Sequence, residues 1–336
     1  MNKSDSHYHY KYHKYKTKYE KLNINIDTKK IIGIAQQVQI LGMAEATHGQ
    51  NLITKFRINL FKKLVKKCGY TVFVLEDDYS CCEQINKYIK TGTGNLYDLL
   101  MQLSWYWASK AIENLIKWMR QYNQDHNNIL EFKGIDIQKI CHNYNDKNDL
   151  VAKYVKKLNK QNDKINQDDW VEADGFRDRS MFNVFMNFYD RNKKYFLYAH
   201  NYHIAKKDLI GSDKSNRKFE GRDILKGDHV DWLGYKLANK FGTDYYAIGN
   251  IFNSGSYLET YDLIEQRRES GFGTKYKKYK NSDIYIVVYD IPRVGNINTD
   301  KLPIGLNTMR PNSEFDAILN LGSEIPLEII SLDSPY

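Results

Sequence analysis

Long apolar runs are what this 336-residue chain most plainly lacks. No stretch approaches the ~18 uninterrupted apolar residues of a membrane span, and the N-terminus "MNKSDSHYHYKYHKYKTKYEKL" has no apolar segment for export. The sequence therefore predicts a cytoplasmic protein with no membrane partner. Cysteine is scarce as well. Cys68 falls on the apolar face of an expected helix, Cys81 and Cys82 are adjacent, Cys141 stands alone, and no C-x-x-C occurs. That spacing argues against a disulfide framework and predicts structural or incidental thiols in a reducing compartment. Also missing are an internal repeat, a linker between autonomous domains, and the G-x-S-x-G of a serine-nucleophile hydrolase. The "NSGS" at Asn253–Ser256 does not supply the strand, elbow and helix that such a nucleophile needs.

What is present is enough apolar material for a large buried core. With 42% hydrophobic residues, a chain of this length needs neither a disulfide nor a metal for stability. The net charge of +9 is uneven, since residues 1–22 hold six Lys against Asp5 and Glu20. This Tyr-, Lys- and His-rich segment has no periodicity and is expected to be a disordered tail ahead of a single domain over 23–336. A basic, aromatic tail can bind nucleic acid through phosphate contacts and stacking, the alternative being simple solvation. His7, His9 and His13 are no basis for a metal site.

Periodicity organises the remainder. Asp27 is placed to cap a helix through about Gln37, and Val38–Ala44 reads as a buried strand. Leu52, Phe56, Leu60, Leu64, Val65 and Cys68 then mark a helix that Gly69 ends. Thr71–Leu75 is the next strand, so the unit is βαβ with parallel strands. Helical patterns follow around Cys81–Lys90 and Ser109–Tyr122, divided by "TGTGN", before a strand at Ile129–Ile135. A helical addition is expected over about 141–192. Lys194–Ala199 reads as a fourth strand, "KKDLIGSDKSNRKFEGRD" as a loop able to cover a site, and Val230–Phe241 as a helix. Strands at Tyr245–Phe252, Ile284–Tyr289 and Phe315–Leu321 complete an α/β fold: a largely parallel or mixed sheet of about seven strands flanked by helices.

Four of these strands run into ionisable residues. "VQILGMAEATH" delivers Glu45 and His48, "TVFVLEDD" delivers Glu76, "FKGIDIQ" delivers Asp136, and "YFLYAHNYH" delivers His200 and His203. In a parallel α/β sheet the carboxyl ends of the strands share one edge, which is where ligands bind. An E-x-x-H pair alone is weak, because such pairs arise by chance or as helix caps. Convergence of several at one edge points to an active site. Asp136 is left outside the catalytic set, as a residue expected to bond neighbouring loop backbone.

At these residues the chain resembles the erythromycin esterase family. The matching stretches are "LGMAEATHGQ", "VFVLEDD", "FKGIDIQ", "RDRSM", "YAHNYHI", "YYAIGNIFNSGSY" and "FDAILNLG", in family order over about Ile40–Gly322. The resemblance implies an α/β esterase with helical additions that uses water and no obligatory metal; known members open macrolide lactones. It implies His48 as general base, with Glu45, Glu76, Arg57, His200 and His203 completing the site. The segment between Asp136 and His200 is short for the family, and Val184 stands where the family has asparagine, so reaction type is implied more closely than substrate.

The chemistry suits those roles. An imidazole with an ordinary pKa of ~6.5 can take a proton from water, and a carboxylate beside it fixes its tautomer; Glu45 and Glu76 are both candidates for that task. His200 and His203 can donate to the ester carbonyl or position the water, and Arg57 can offset developing negative charge. In one unbroken helix His48 and Arg57 would lie ~13 Å apart on opposite faces, so the helix is expected to start near Asn51. The expected partner is a small-molecule ester, without a cofactor. Two other readings stay open: a Zn or Mn hydrolase using the same Glu and His donors as ligands, and a non-catalytic ligand- or nucleic-acid-binding protein.

Overall fold

Six strands lie side by side in one sheet, and every pairing among them is parallel. The computed structural model describes residues 28–141, 150–162, 170–207, 209–210, 218–219, 222–223, 229–251, 254–260, 276–281, 284–291, 314–320 and 323–324. The expected basic tail, its nucleic-acid contacts and the Asp27 cap all lie outside these residues.

In chain order the elements are α1 (Thr28–Gln37), β1 (Ile40–Glu45), α2 (Asn51–Cys68), β2 (Tyr70–Asp78), α3 (Tyr79–Thr91), α4 (Leu96–Leu100), α5 (Lys110–Asp125) and β3 (Glu131–Asp136). Then come α6 (Leu150–Asn162), α7 (Trp170–Phe188), β4 (Lys194–His200), α8 (Asn201–Ile204), α9 (Leu233–Phe241) and β5 (Tyr245–Ile251). Strands β6 (Ser254–Thr260), β7 (Tyr276–Asn281), β8 (Ile284–Ile291) and β9 (Ala317–Asn320) follow. The main sheet has the order β9-β5-β1-β4-β2-β3. Strand β4 inserts between β1 and β2, so the four strands that carry Glu45, His200, Glu76 and Asp136 are consecutive neighbours.

The side-chain period of two divides the core between the two faces of this sheet. Leu41, Met43, Phe73, Leu75, Phe132, Phe196 and Tyr198 pack with α2, α3 and α5 on one face. Ile40, Ala44, Val72, Val74, Tyr195, Leu197 and Ala199 pack with α7 and α9 on the other. Helix α2 ends where the sequence predicts: Gly69 adopts φ 74° and its N–H donates to the Leu64 carbonyl. A left-handed turn of this kind is open to glycine at little cost.

Two expectations are corrected. Among the described residues the sheet has six strands and not seven, because β8 pairs antiparallel with β6 and β7 in a separate four-stranded sheet that Ser323–Glu324 completes. An apolar run identifies a strand but not its partner, and pairing is decided by the chain around it. The cysteines are also not all free. Cys81 and Cys141 form a disulfide with Cα atoms 5.2 Å apart, leaving Cys68 and Cys82 as thiols. The cause is the β2–β3 pairing, whose register sets Asp78 against Asp136 and so brings together the chain that follows each strand. Among the described residues no helix is long and apolar enough to cross a membrane. The loop expected over the site is described only as short pairings, Leu209–Ile210 with His229–Val230 and Lys218–Phe219 with Arg222–Asp223.

Candidate active site

At the carboxyl edge of the sheet, Glu45 is the last residue of β1 and stands in register with His200, the last residue of β4. Past Glu45 the chain leaves the strand, and Gly49, with φ 76°, turns it into α2. Helix α2 begins at Asn51, so His48 lies in the preceding loop and Arg57 can face Glu45 from within the helix.

Glu45 is buried and fully engaged. Its Oε1 is 2.5 Å from His48 Nδ1, while its Oε2 accepts from Arg57 Nη1 at 3.1 Å and from the Tyr198 hydroxyl at 2.8 Å. Burial raises the carboxyl pKa, but His48, Arg57 and Tyr198 outweigh it and hold the pKa below the ordinary value. An ionised carboxylate only accepts, so in the neutral imidazole Nδ1 carries the proton and Nε2 the lone pair. The His48 side chain keeps 25% of its surface exposed, enough to meet a solute, and is stacked on the ring of Tyr106.

Arg57 is wholly buried, with its Cζ 4.0 Å above the Tyr198 ring. Its Nη1 reaches the Glu45 carboxylate, so its charge is set against Glu45.

Glu76 sits on the other side of β4 and is likewise buried. Its Oε1 meets Arg177 Nη2 at 3.0 Å and His203 Nε2 at 3.2 Å, and its Oε2 accepts the His200 backbone N–H at 2.7 Å. Burial again opposes the charge, and His203 and Arg177 drive the pKa well below the carboxylate norm. His203 is sandwiched, because its Nδ1 lies 2.9 and 3.0 Å from the two oxygens of Asp178. Burial disfavours the imidazolium, yet Asp178 and Glu76 push its pKa up to about 10. Both ring nitrogens then donate to carboxylates, so His203 has no N–H left for an ester carbonyl.

His200 is the opposite case. Burial, reinforced by His48, lowers its pKa to about 3. Its Nε2 lies 3.0 Å from the Ala46 carbonyl, which only accepts; Nε2 therefore carries the proton and Nδ1 the lone pair. The His48 and His200 rings are 5.7 Å apart.

Several members of this network were not picked out from the sequence. Arg177 grips Asp136 through Nε at 3.0 Å and Nη2 at 2.6 Å, making Asp136 part of an ion chain as well as an acceptor for the Ile137 N–H at 2.8 Å. Asp178, the next residue on α7, turns to His203 and also accepts the Leu233 N–H at 2.8 Å. The "RDRSM" stretch held both residues, but nothing in helical periodicity marks two adjacent charges as reaching different elements, Arg177 the strands β2 and β3 and Asp178 the helices α8 and α9. The Asn250 side chain of β5 accepts the Ala46 N–H at 3.3 Å, while its backbone carbonyl accepts from, and its backbone N–H donates to, the Asn201 side-chain amide. Among the described residues, no group of three or more His, Cys, Asp or Glu side chains is arranged to hold a metal ion.

A family model described as erythromycin esterase matches residues 65–167 and 148–279, segments that begin after Glu45, His48 and Arg57. No curated protein sequence gives a significant match. Among solved structures, a succinoglycan biosynthesis protein shares the fold at TM-score 0.60 and 18% identity, covering 90% of this chain and 92% of its own. A protein from Bacillus cereus does so at TM-score 0.58 and 17% identity, with 91% and 93% covered. An erythromycin esterase, EreC in its open conformation, aligns at TM-score 0.48 and 12% identity over 89% of this chain and 95% of that one.

Proposed function

Because the chain belongs to the erythromycin esterase family, we propose that it hydrolyses carboxylic esters, lactones included, with His48 as the general base that draws a proton from water. The observation that carries this reading is the Glu45–His48 pair, 2.5 Å apart at the carboxyl edge of the sheet, with the imidazole partly open to solvent. A base needs a fixed tautomer with a lone pair opposite the bound proton, and Glu45 fixes the tautomer by accepting the hydrogen bond of the Nδ1–H, which leaves the lone pair on Nε2. Arg57 and Tyr198 keep Glu45 ionised, so the imidazolium that forms during the reaction has a counter-charge.

His200 contributes as an acceptor. With its proton committed to Ala46 and a pKa near 3, its Nδ1 can orient the hydrogen of a water without removing it. His203, Glu76, Arg177, Asp136 and Asp178 form the charged frame that holds β4, β2 and α7 in register around the pair. No step is assigned to a metal or cofactor.

The test is a turnover screen over aryl esters, lactones and macrolides, comparing wild type with His48→Ala. Wild type is expected to turn over at least one ester class, and the variant to lose roughly 10²–10⁴-fold in kcat. A wild type inactive on every class, or a variant as active as wild type, overturns the proposal.

A further inference from the structure

We propose that Tyr106 is a positioning residue for His48, fixing the plane of the imidazole while Glu45 fixes its Nδ1; the inference rests on the reading of His48 as base. The two rings are parallel to within 4°, with centroids 3.9 Å apart. Trp107 meets the same imidazole edge-on at 5.7 Å and 72°. The bond at Nδ1 fixes one point of the ring, and the stack on Tyr106 fixes its plane, which sets the direction in which Nε2 points. The electron-rich face also favours the imidazolium that the base becomes.

The stack is held from the strand that carries Glu76. Ser104 donates its N–H to Asp77 Oδ2 at 2.9 Å and its hydroxyl to Asp77 Oδ1 at 3.1 Å, and Trp107 Nε1 donates to the Glu76 carbonyl at 2.7 Å. Trp107 packs edge-on against Tyr198 at 4.6 Å, and the Tyr198 hydroxyl donates to Glu45. The turn at 104–107 is thus tied to Asp77 of β2 on one side of Tyr106 and, through Trp107 and Tyr198, to Glu45 on the other. Among the described residues, the other charged or titratable groups facing His48 include Glu45 at Nδ1, the His200 ring, Glu76 through space, and Arg57 by way of Glu45. All of them are unchanged in the variants below, so a shift reports Tyr106.

The experiment compares wild type, Tyr106→Phe and Tyr106→Leu in the full chain, on an ester that wild type hydrolyses. Leucine keeps an apolar cover over His48 but has no ring face. It is expected to lower kcat roughly 10-fold or more with KM nearly unchanged, and to move the acidic limb of kcat/KM down by roughly half a pH unit. Phenylalanine is expected to restore both. A Leu variant equal to wild type in kcat and limb, or a Phe variant as impaired as Leu, overturns the proposal; Tyr106→Met replaces Leu should that chain not fold. NMR of the His48 ring protons provides a readout independent of turnover. Stacking predicts an upfield ring-current shift that Tyr106→Phe keeps and Tyr106→Leu loses, and identical spectra for wild type and Leu would remove the stack. If wild type hydrolyses no ester, the functional reading alone fails, since the spectra still decide whether Tyr106 holds the ring.

Discussion

Glu76 binds His203, its Oε1 3.2 Å from the imidazole Nε2, and its remaining bonds go to Arg177 and the His200 backbone. Two glutamates were equal candidates to orient the base, and this contact separates them. Glu45 is the partner of His48, while Glu76 belongs to a buried ion chain that runs Asp178, His203, Glu76, Arg177, Asp136.

The Glu45–His48 unit is expected to behave as one element. His48→Asn should lower kcat by roughly 10²–10⁴-fold, Glu45→Gln should cause a loss of the same kind, and the double variant should be little worse than the worse single. Steady-state kinetics on the three proteins measure this. Additive losses would show that the two residues act separately.

Glu76 should show a different signature. Glu76→Gln leaves His203 and Arg177 short of a buried counter-charge, and breaking such a pair costs roughly 3–5 kcal/mol. Urea unfolding should therefore reveal a large stability loss in Glu76→Gln and in Arg177→Met, whereas His48→Asn leaves stability close to wild type. A stable Glu76→Gln with impaired turnover would return Glu76 to the reaction itself.

Stability should decline on the alkaline side. His203, with a folded pKa of about 10, contributes stability that is complete below the ordinary histidine value of ~6.5 and lost as pH rises through about 10. Asp78 acts in the same direction. Burial, then Asp136 and Asp77, push its pKa up to about 8, so its protonated form favours the fold below the ordinary ~3.9 and that contribution is lost as pH rises through about 8. Melting curves from pH 5 to 10 should fall with pH, and Asp78→Asn, which mimics the protonated acid, should flatten the lower part. A melting temperature rising over that range would contradict both assignments.

Reduction of the Cys81–Cys141 disulfide should destabilise the fold. The bridge spans a sequence separation of 60, and closing a loop of that size in the unfolded chain is worth about 4 kcal/mol on the chain-entropy account. Alkylation of unfolded, unreduced protein should label two thiols and of reduced protein four, with a lower melting temperature after reduction. Four labels without reductant would mean that the bridge does not form in the isolated protein.

Which residues gather at the carboxyl edge of the sheet was largely written in the sequence; who binds whom was not. The apolar runs "VQILGMAE", "TVFVLEDD" and "YFLYAH" mark strands buried on both faces, and a strand's period of two then assigns successive side chains to the sheet's two layers whatever its neighbours are. Termination of each run in an ionisable residue places Glu45, Glu76 and His200 at one edge once the strands are parallel. The spacing of His48 and Arg57 likewise required a helix start near Asn51, which is where α2 begins.

Tertiary structure decided the partners, since it alone inserts β4 between β1 and β2 and lays α7 across the edge. From that follow Arg177 on Asp136 and Glu76, Asp178 on His203, and the split between a histidine held charged and one held neutral three residues away. The same cause joined Cys81 to Cys141 and sent β8 to a second sheet. A local pattern records each residue's own preference for burial and backbone shape, whereas an ion pair, a stack such as Tyr106 on His48, or a disulfide depends on two distant segments arriving together, and no period in either segment encodes the other.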